Sequence, residues 1–94
     1  MRLVGRERLE EFAHEHADAR SQIDAWLSEV LEANWQGPAD IKKRYASASF
    51  LRENRVVFNL KGNKYRLLAV VAFKQQVVVV SKIGTHADYS EWKL

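Results

Sequence analysis

Apolar positions recur in two rhythms along this chain. Through the first third they fall three and four residues apart, and from residue 55 onward they alternate or run on unbroken, as strands do. Leu9, Phe12, Ala13 and His16 stand at i, i+3, i+4 and i+7 and predict a helix over residues 6–17, with Glu7, Glu10, Glu11 and Glu15 mostly outside the stripe. His14 and His16 are two apart, on different faces, so they make no i, i+4 metal pair, and His16 reads as a packed helix-end residue. Ile23, Trp26, Leu27, Val30 and Leu31 give the cleanest helical pattern, a second helix for which Asp18 is the expected N-cap. Gln36-Gly37-Pro38 ends it, and Pro38 opens a short third helix through about residue 45. In that helix Ile41 and Tyr45 turn inward while Lys42, Lys43 and Arg44 face out. Residues 1–4 read as a short strand closed by Gly5, residues 46–51 as a weak strand or irregular connection, and Arg52-Glu53-Asn54 as a turn.

Residues 55–60 and 64–73 are strand candidates around Gly62-Asn63. A two-residue loop there pairs Lys61 with Lys64, Leu60 with Tyr65, Asn59 with Arg66 and Phe58 with Leu67. One face of the hairpin then collects Val56, Phe58, Leu60, Tyr65, Leu67, Ala69 and Val71, a core face for the helices. The other collects Arg55, Asn59, Lys61, Lys64 and Arg66, with Val57, Leu68 and Val70 among them. A slip of one residue would destroy this segregation. Lys61 opposite Lys64 is a like-charge pair, which a bound anion would relieve. A second turn at Lys74–Gln76 leads to a strand over residues 77–83. A three-residue loop there pairs Phe73 with Val77 and Leu68 with Lys82, which keeps the Lys82 ammonium off the core side. Gly84-Thr85-His86-Ala87-Asp88-Tyr89 leaves the sheet edge. The fold class is therefore α+β, helices packed on a mainly antiparallel sheet.

Composition narrows the partners. Ninety-four residues make one domain, 1–94. A chain of this length buries roughly 60–65% of its unfolded surface, enough for one modest core. It has no cysteine, so neither a disulfide framework nor a cysteine metal site is expected. No apolar run approaches a membrane span and no signal core opens the chain, so a cytoplasmic protein without a membrane partner is expected. Charge is segregated: residues 1–37 hold four Lys/Arg against eight Asp/Glu, and residues 38–94 hold eleven against four. A basic half on an acidic half suggests a one-sided positive field facing an anionic partner.

The residues of that half suit one reaction. Arg66, Lys82, His86 and Tyr89 combine cations with groups that transfer protons, and Arg55, Asn59, Lys61, Lys64, Lys42 and Lys43 surround them as phosphate contacts. Clustered carboxylates, a glycine-rich phosphate loop and a recognisable Ser-His-Asp set are all missing, so neither metal nor other cofactor is expected. The set fits metal-independent RNA cleavage. A base takes the proton of the substrate's 2′-OH, an acid protonates the departing 5′ oxygen, and the cations stabilise the phosphorane. Asp88 either orients His86 or caps a turn.

Phe58-Asn59-Leu60-Lys61-Gly62-Asn63-Lys64-Tyr65-Arg66-Leu67, followed by Ile83-Gly84-Thr85-His86-Ala87-Asp88-Tyr89, resembles the HigB family of toxin–antitoxin toxins. Pro38-Ala39-Asp40-Ile41-Lys42 and Arg55-Val56-Val57 fit as well, so the likeness spans nearly the whole chain. It implies a RelE-like fold with N-terminal helices on a curved antiparallel sheet. It also implies a ribosome-dependent mRNA interferase, held inactive by a HigA-type helix-turn-helix antitoxin and touching operator DNA only through that antitoxin. On this chain it implies Arg66 as the transition-state phosphate ligand and His86 and Tyr89 as proton-transfer or base-stacking residues, with no catalytic contribution from the short tail beyond Tyr89. Two other readings use the same basic face: a non-catalytic RNA- or ribosome-binding module, and an inactive toxin relic that acts only through its antitoxin.

Overall fold

In the computed structural model, which describes residues 1–94, the two rhythms resolve into helices first and sheet second. The order is β1 (Arg2–Val4), α1 (Arg6–Glu15), a 3-10 turn (Ala17–Ala19), α2 (Arg20–Glu32), α3 (Pro38–Arg44), β2 (Ser49–Phe50), β3 (Arg55–Leu60), β4 (Tyr65–Ala72), β5 (Val77–Thr85) and α4 (His86–Glu91). The sheet runs β1-β5-β4-β3-β2. Every neighbouring pair is antiparallel except β1, which lies parallel to β5. This is the expected α+β architecture. No helix is long and apolar enough to cross a membrane.

Alternation puts the core where the pattern requires. Val56, Phe58, Leu60, Tyr65, Leu67, Ala69 and Val71 are all buried and join Leu9, Phe12, Ile23, Trp26, Leu27 and Val30 from the helices in one cluster. Phe58 is its hub, edge-on to Trp26 and Tyr45 at 5.4 and 5.2 Å between ring centroids. Two features depart from the helical reading. Leu31 continues the apolar spacing of α2 yet is 48% exposed, because the buried stripe closes at Val30. The helix also ends at Glu32 rather than at the Gly37-Pro38 breaker, and in the linking segment Trp35 packs onto Phe58. An aromatic in a connection carries no periodic signal, so this core residue was invisible to a pattern argument.

The β3–β4 register is the expected one, with Leu60 opposite Tyr65, Asn59 opposite Arg66 and Phe58 opposite Leu67. Its connection takes four residues rather than two, with Lys61 and Gly62 both in the left-handed region (φ 51° and 65°). The next hairpin also takes four, with Ala72 opposite Val77 instead of Phe73. Leu68 nevertheless faces Lys82, because the register shifts between Leu68 and Ala69: Ala69 pairs with Val80, and Ser81 is the extra residue. The expected pairing thus holds for 65–68 and is off by one for 69–72. A bulge of this kind advances the side-chain phase by one position.

Gly5 makes the turn from β1 into α1. Its φ is +92°, and a Cβ there would lie 2.8 Å from the Val80 carbonyl oxygen. Both the left-handed backbone and the close approach to β5 exclude a side chain. Gly5→Ala is expected to destabilise by about 1–3 kcal/mol, a fall in melting temperature of about 4–8 °C for each kcal/mol. Thermal unfolding followed by circular dichroism checks this; an unchanged midpoint would mean that β1 does not pin α1 to β5.

Candidate functional site

Residues directly opposite one another in a sheet share a face. The register therefore builds two cross-strand rows on the side turned away from the helices: Asn59, Arg66 and Gly84, then Val57, Leu68 and Lys82. Val57 and Leu68 are only 2% and 4% exposed, yet they stand outside the helix-side cluster and form a separate apolar floor. Because of the bulge, β5 presents Lys82 and Gly84 to this outer face.

The motif after Gly84 stops the strand and starts a helix. Thr85 Oγ1 accepts from the Asp88 backbone N–H at 3.1 Å, and Asp88 Oδ2 accepts from the Thr85 N–H at 3.0 Å. This is a capping box, so Asp88 caps α4 rather than orienting His86. Gly84 lets the helix lie down on the sheet, since a Cβ there would meet Asp88 Cβ at 2.8 Å and Trp92 Cζ2 at 3.2 Å. His86 is the first residue of α4; its side chain is exposed and its backbone N–H donates to the Lys64 carbonyl at 3.0 Å. One turn on, the Tyr89 ring lies 5.0 Å from the Arg66 guanidinium, which also donates to the Asn63 carbonyl at 2.9 Å. Trp92 follows, edge-on to Tyr89 at 5.5 Å, with the Lys82 ammonium 5.9 Å from its ring centroid. The tail then reaches β3, where Arg55 Nη2 donates to the Leu94 carbonyl at 3.3 Å.

The fold thus gathers Arg66, Lys82 and Tyr89 over an apolar floor, with His86 on the same short helix. It adds Trp92, which the motif-based reading passed over by stopping at Tyr89. The available signal was spacing: Trp92 stands three residues after Tyr89 and six after His86, just past the end of a helix whose start Thr85 and Asp88 announce. Asn59 flanks Arg66 and donates to the Ser47 carbonyl at 3.1 Å. Lys42 and Lys43 are not brought in. Lys42 donates to the Ala48 carbonyl at 3.0 Å and sits over Phe50, which is opposite Val56 and so on the helix-side face; Lys43 is exposed on α3.

Lys61 and Lys64 turn away from the outer face as well. Both donate to Asp18 Oδ2, at 3.2 and 2.5 Å, while the Tyr65 hydroxyl donates to Asp18 Oδ1 at 2.5 Å. Asp18 is therefore not the N-cap of α2, a position held by Ala19. The anion that relieves the like-charge pair is the protein's own carboxylate. Hydrogen bonds from Lys64 first and Tyr65 second hold the Asp18 carboxyl well below the usual range, and Asp18 in turn raises Lys64 and Tyr65 above theirs. Tyr65 also packs edge-on to Phe12 and His16, at 5.3 and 5.6 Å, which confirms His16 as a packed helix-end residue. No group of three or more His, Cys, Asp or Glu side chains converges as a metal site.

Comparison with known proteins identifies a family. The model of the HigB_toxin family, described as the RelE-like toxic component of a toxin–antitoxin system, matches residues 19–92. The chain is similar to the mRNA interferase toxin HigB of Escherichia coli (strain K12), 23% identical over 91 residues that cover 95% of this chain and 88% of that protein. Proteins named mRNA interferase HigB in Escherichia coli O157:H7 and Shigella flexneri match to the same extent.

Two outcomes follow from the geometry. A carboxyl with a lowered pKa adds stability above its unfolded value, about 3.9, and loses it as pH falls through the folded value. The raised Lys64 adds stability below about 10.4 and loses it as pH rises through its folded value. Asp18→Asn should therefore be less stable than wild type between those limits, with the gap closing below about pH 4. Urea midpoints across pH test this, and a gap independent of pH would sink the ion-pair account. Gly84→Ala should lift α4 from the sheet. In amide NMR spectra the shifts should gather at residues 84–94 and around Arg66 and Arg55, leaving the helix-side core unperturbed; shifts spread through that core would contradict it.

Proposed function

We propose, on the premise that this chain belongs to the HigB family of RelE-like toxins, that it is the toxic partner of a toxin–antitoxin pair and acts by cutting mRNA. The observation that carries the reading is the meeting of Arg66 with Tyr89 on the outer face, beside Lys82 and one helical turn from His86. Cations beside proton-transferring side chains are what cleavage by the substrate's own 2′-OH needs, and the mRNA interferase names of the relatives point to that substrate.

In the reaction the 2′ oxygen bonds to the adjacent phosphorus as its proton passes to a base. The bond from phosphorus to the 5′ oxygen breaks as that oxygen gains a proton from an acid. The products are a 2′,3′-cyclic phosphate and a free 5′ hydroxyl. His86 and Tyr89 are the proton-transferring pair. Arg66 and Lys82 balance the charge that builds on the non-bridging oxygens, a task that requires no metal when guanidinium and ammonium supply the field. Asn59 and Arg55, along β3 on the same face, contact the flanking phosphates.

Cleavage takes place on the translating ribosome. With Lys61 and Lys64 both turned to Asp18, which offsets one of their two charges, fewer cations remain to grip a free strand, and affinity for RNA scales with the phosphates neutralised. The ribosome supplies the positioning that the protein does not. A HigA-type helix-turn-helix antitoxin restrains the toxin and links it indirectly to operator DNA.

Expression in cells with mapping of mRNA 5′ ends tests this. Wild type should arrest growth and cut within translated frames, insensitive to chelators in extracts. Arg66→Ala should lower cleavage by about 10²-fold or more, and His86→Ala by about 10²–10⁴-fold. Full toxicity in both variants would refute the site, and growth arrest without new 5′ ends would favour a binding module over a nuclease.

A further inference from the structure

An open cleft of about 300 Å³ lies between α1 and the outer end of β5, lined by Arg8, Glu11, Glu15, Ser81, Lys82 and Trp92 among others. Its walls differ in chemistry. On one side stand Trp92 and Lys82. On the other, Glu11 and Glu15 are four apart on α1 and make no ion pair, unlike Glu10, which holds Arg20 at 2.9 Å, and Arg8 lines the cleft from the same helix, so this wall carries two carboxylates against one guanidinium. The cleft adjoins the Arg66 site, because Trp92 meets Tyr89 edge-on at 5.5 Å. The outer face thus repeats one unit, a cation beside an aromatic ring: Arg66 with Tyr89, then Lys82 with Trp92.

We infer that this cleft is a second nucleotide subsite, in which Trp92 stacks on the base next to the one at Tyr89 and Lys82 contacts the phosphate between them. The inference rests on the reading of the outer face as an RNA surface and adds to it which end of that face the strand occupies. Adjacent aromatic rings with cations beside them are how proteins hold successive bases of a single strand. The acidic wall sorts the nucleotide's parts. Glu11 and Glu15 outnumber Arg8 on this wall and repel phosphate, so the backbone keeps to the Lys82 side and the base turns toward α1. Ionised Glu11 and Glu15 only accept hydrogen bonds. They favour bases whose edges carry amino donors (adenine, cytosine, guanine) over uracil, whose single ring N–H sits between two carbonyls.

Trp92 can be observed directly. Trp26 and Trp35 are 1% and 7% exposed, whereas Trp92 is partly open, so acrylamide quenching of tryptophan fluorescence reports mainly on Trp92. Trinucleotides of single-stranded RNA, titrated at low ionic strength into the full chain, should shield it, with triuridylate shielding least. Trp92→Ala should weaken binding roughly 5- to 100-fold, and Trp92→Phe, which keeps a stacking ring, should stay within about threefold of wild type on the same scale. Glu11→Gln with Glu15→Gln should narrow the gap between uridylate and the other trinucleotides. Absence of shielding, or equal binding by wild type and Trp92→Ala, overturns the subsite. If Arg66→Ala still abolishes cleavage in cells, only the subsite has failed; if Arg66→Ala cleaves as wild type, the RNA reading of the whole face fails, whatever Trp92 does.

Discussion

One unpaired residue in β5 controls what the outer face carries. Val78 and Val80 are buried against the helices. Unbroken alternation would send residue 82 to that same side, where the Lys82 ammonium would lose its hydration without gaining a partner. The register shift at Ser81 changes the phase, so that Leu68 faces Lys82 and Arg66 faces Gly84. The helix side keeps its apolar surface unbroken, and the outer side gains a cation and a glycine. α4 depends on that glycine, because its capping residue Asp88 and Trp92 both lie where a Cβ at position 84 would be. The meeting of Tyr89 with Arg66 therefore descends from the bulge.

A second constraint works at the tip of the β3–β4 hairpin, on its opposite face. Asp18 lies between α1 and α2, yet its carboxylate receives Lys61, Lys64 and the Tyr65 hydroxyl. These ion pairs are partly exposed, so each is weak on its own. Their common acceptor also ties the hairpin tip to the helical layer, and the Tyr65 ring on Phe12 and His16 extends the tie into the core. Both lysine charges are drawn to the helix side, where Asp18 offsets one of them. The outer face is left with a small cationic field centred on Arg66 and Lys82.

That division bears on how such a protein acts. A nuclease with a broad positive surface would hold RNA wherever it met it. Here cations and aromatics are paired in a narrow band under a short helix, which suits a strand already held in place by something larger.

The hydrophobic pattern alone was enough to read the α+β class, both long helices, the β3–β4 register and every residue of the hairpin's core face. All of these follow from local periodicity, which burial against one partner layer enforces. Arg66 and Lys82 were likewise readable as outward residues, although for Lys82 the reasoning rested on the cost of burying charge rather than on the bulge that avoids it. Trp35 in the core and Asp18 under the hairpin lysines were not readable. Each is a contact between segments with no shared period, and only the packed chain brings such segments together. The long, pliable side chains of Lys61 and Lys64 add the final reason. Their places in the hairpin connection set where they start, but the nearest carboxylate, supplied by the turn between α1 and α2, 43 and 46 residues away in the chain, sets where their charges end.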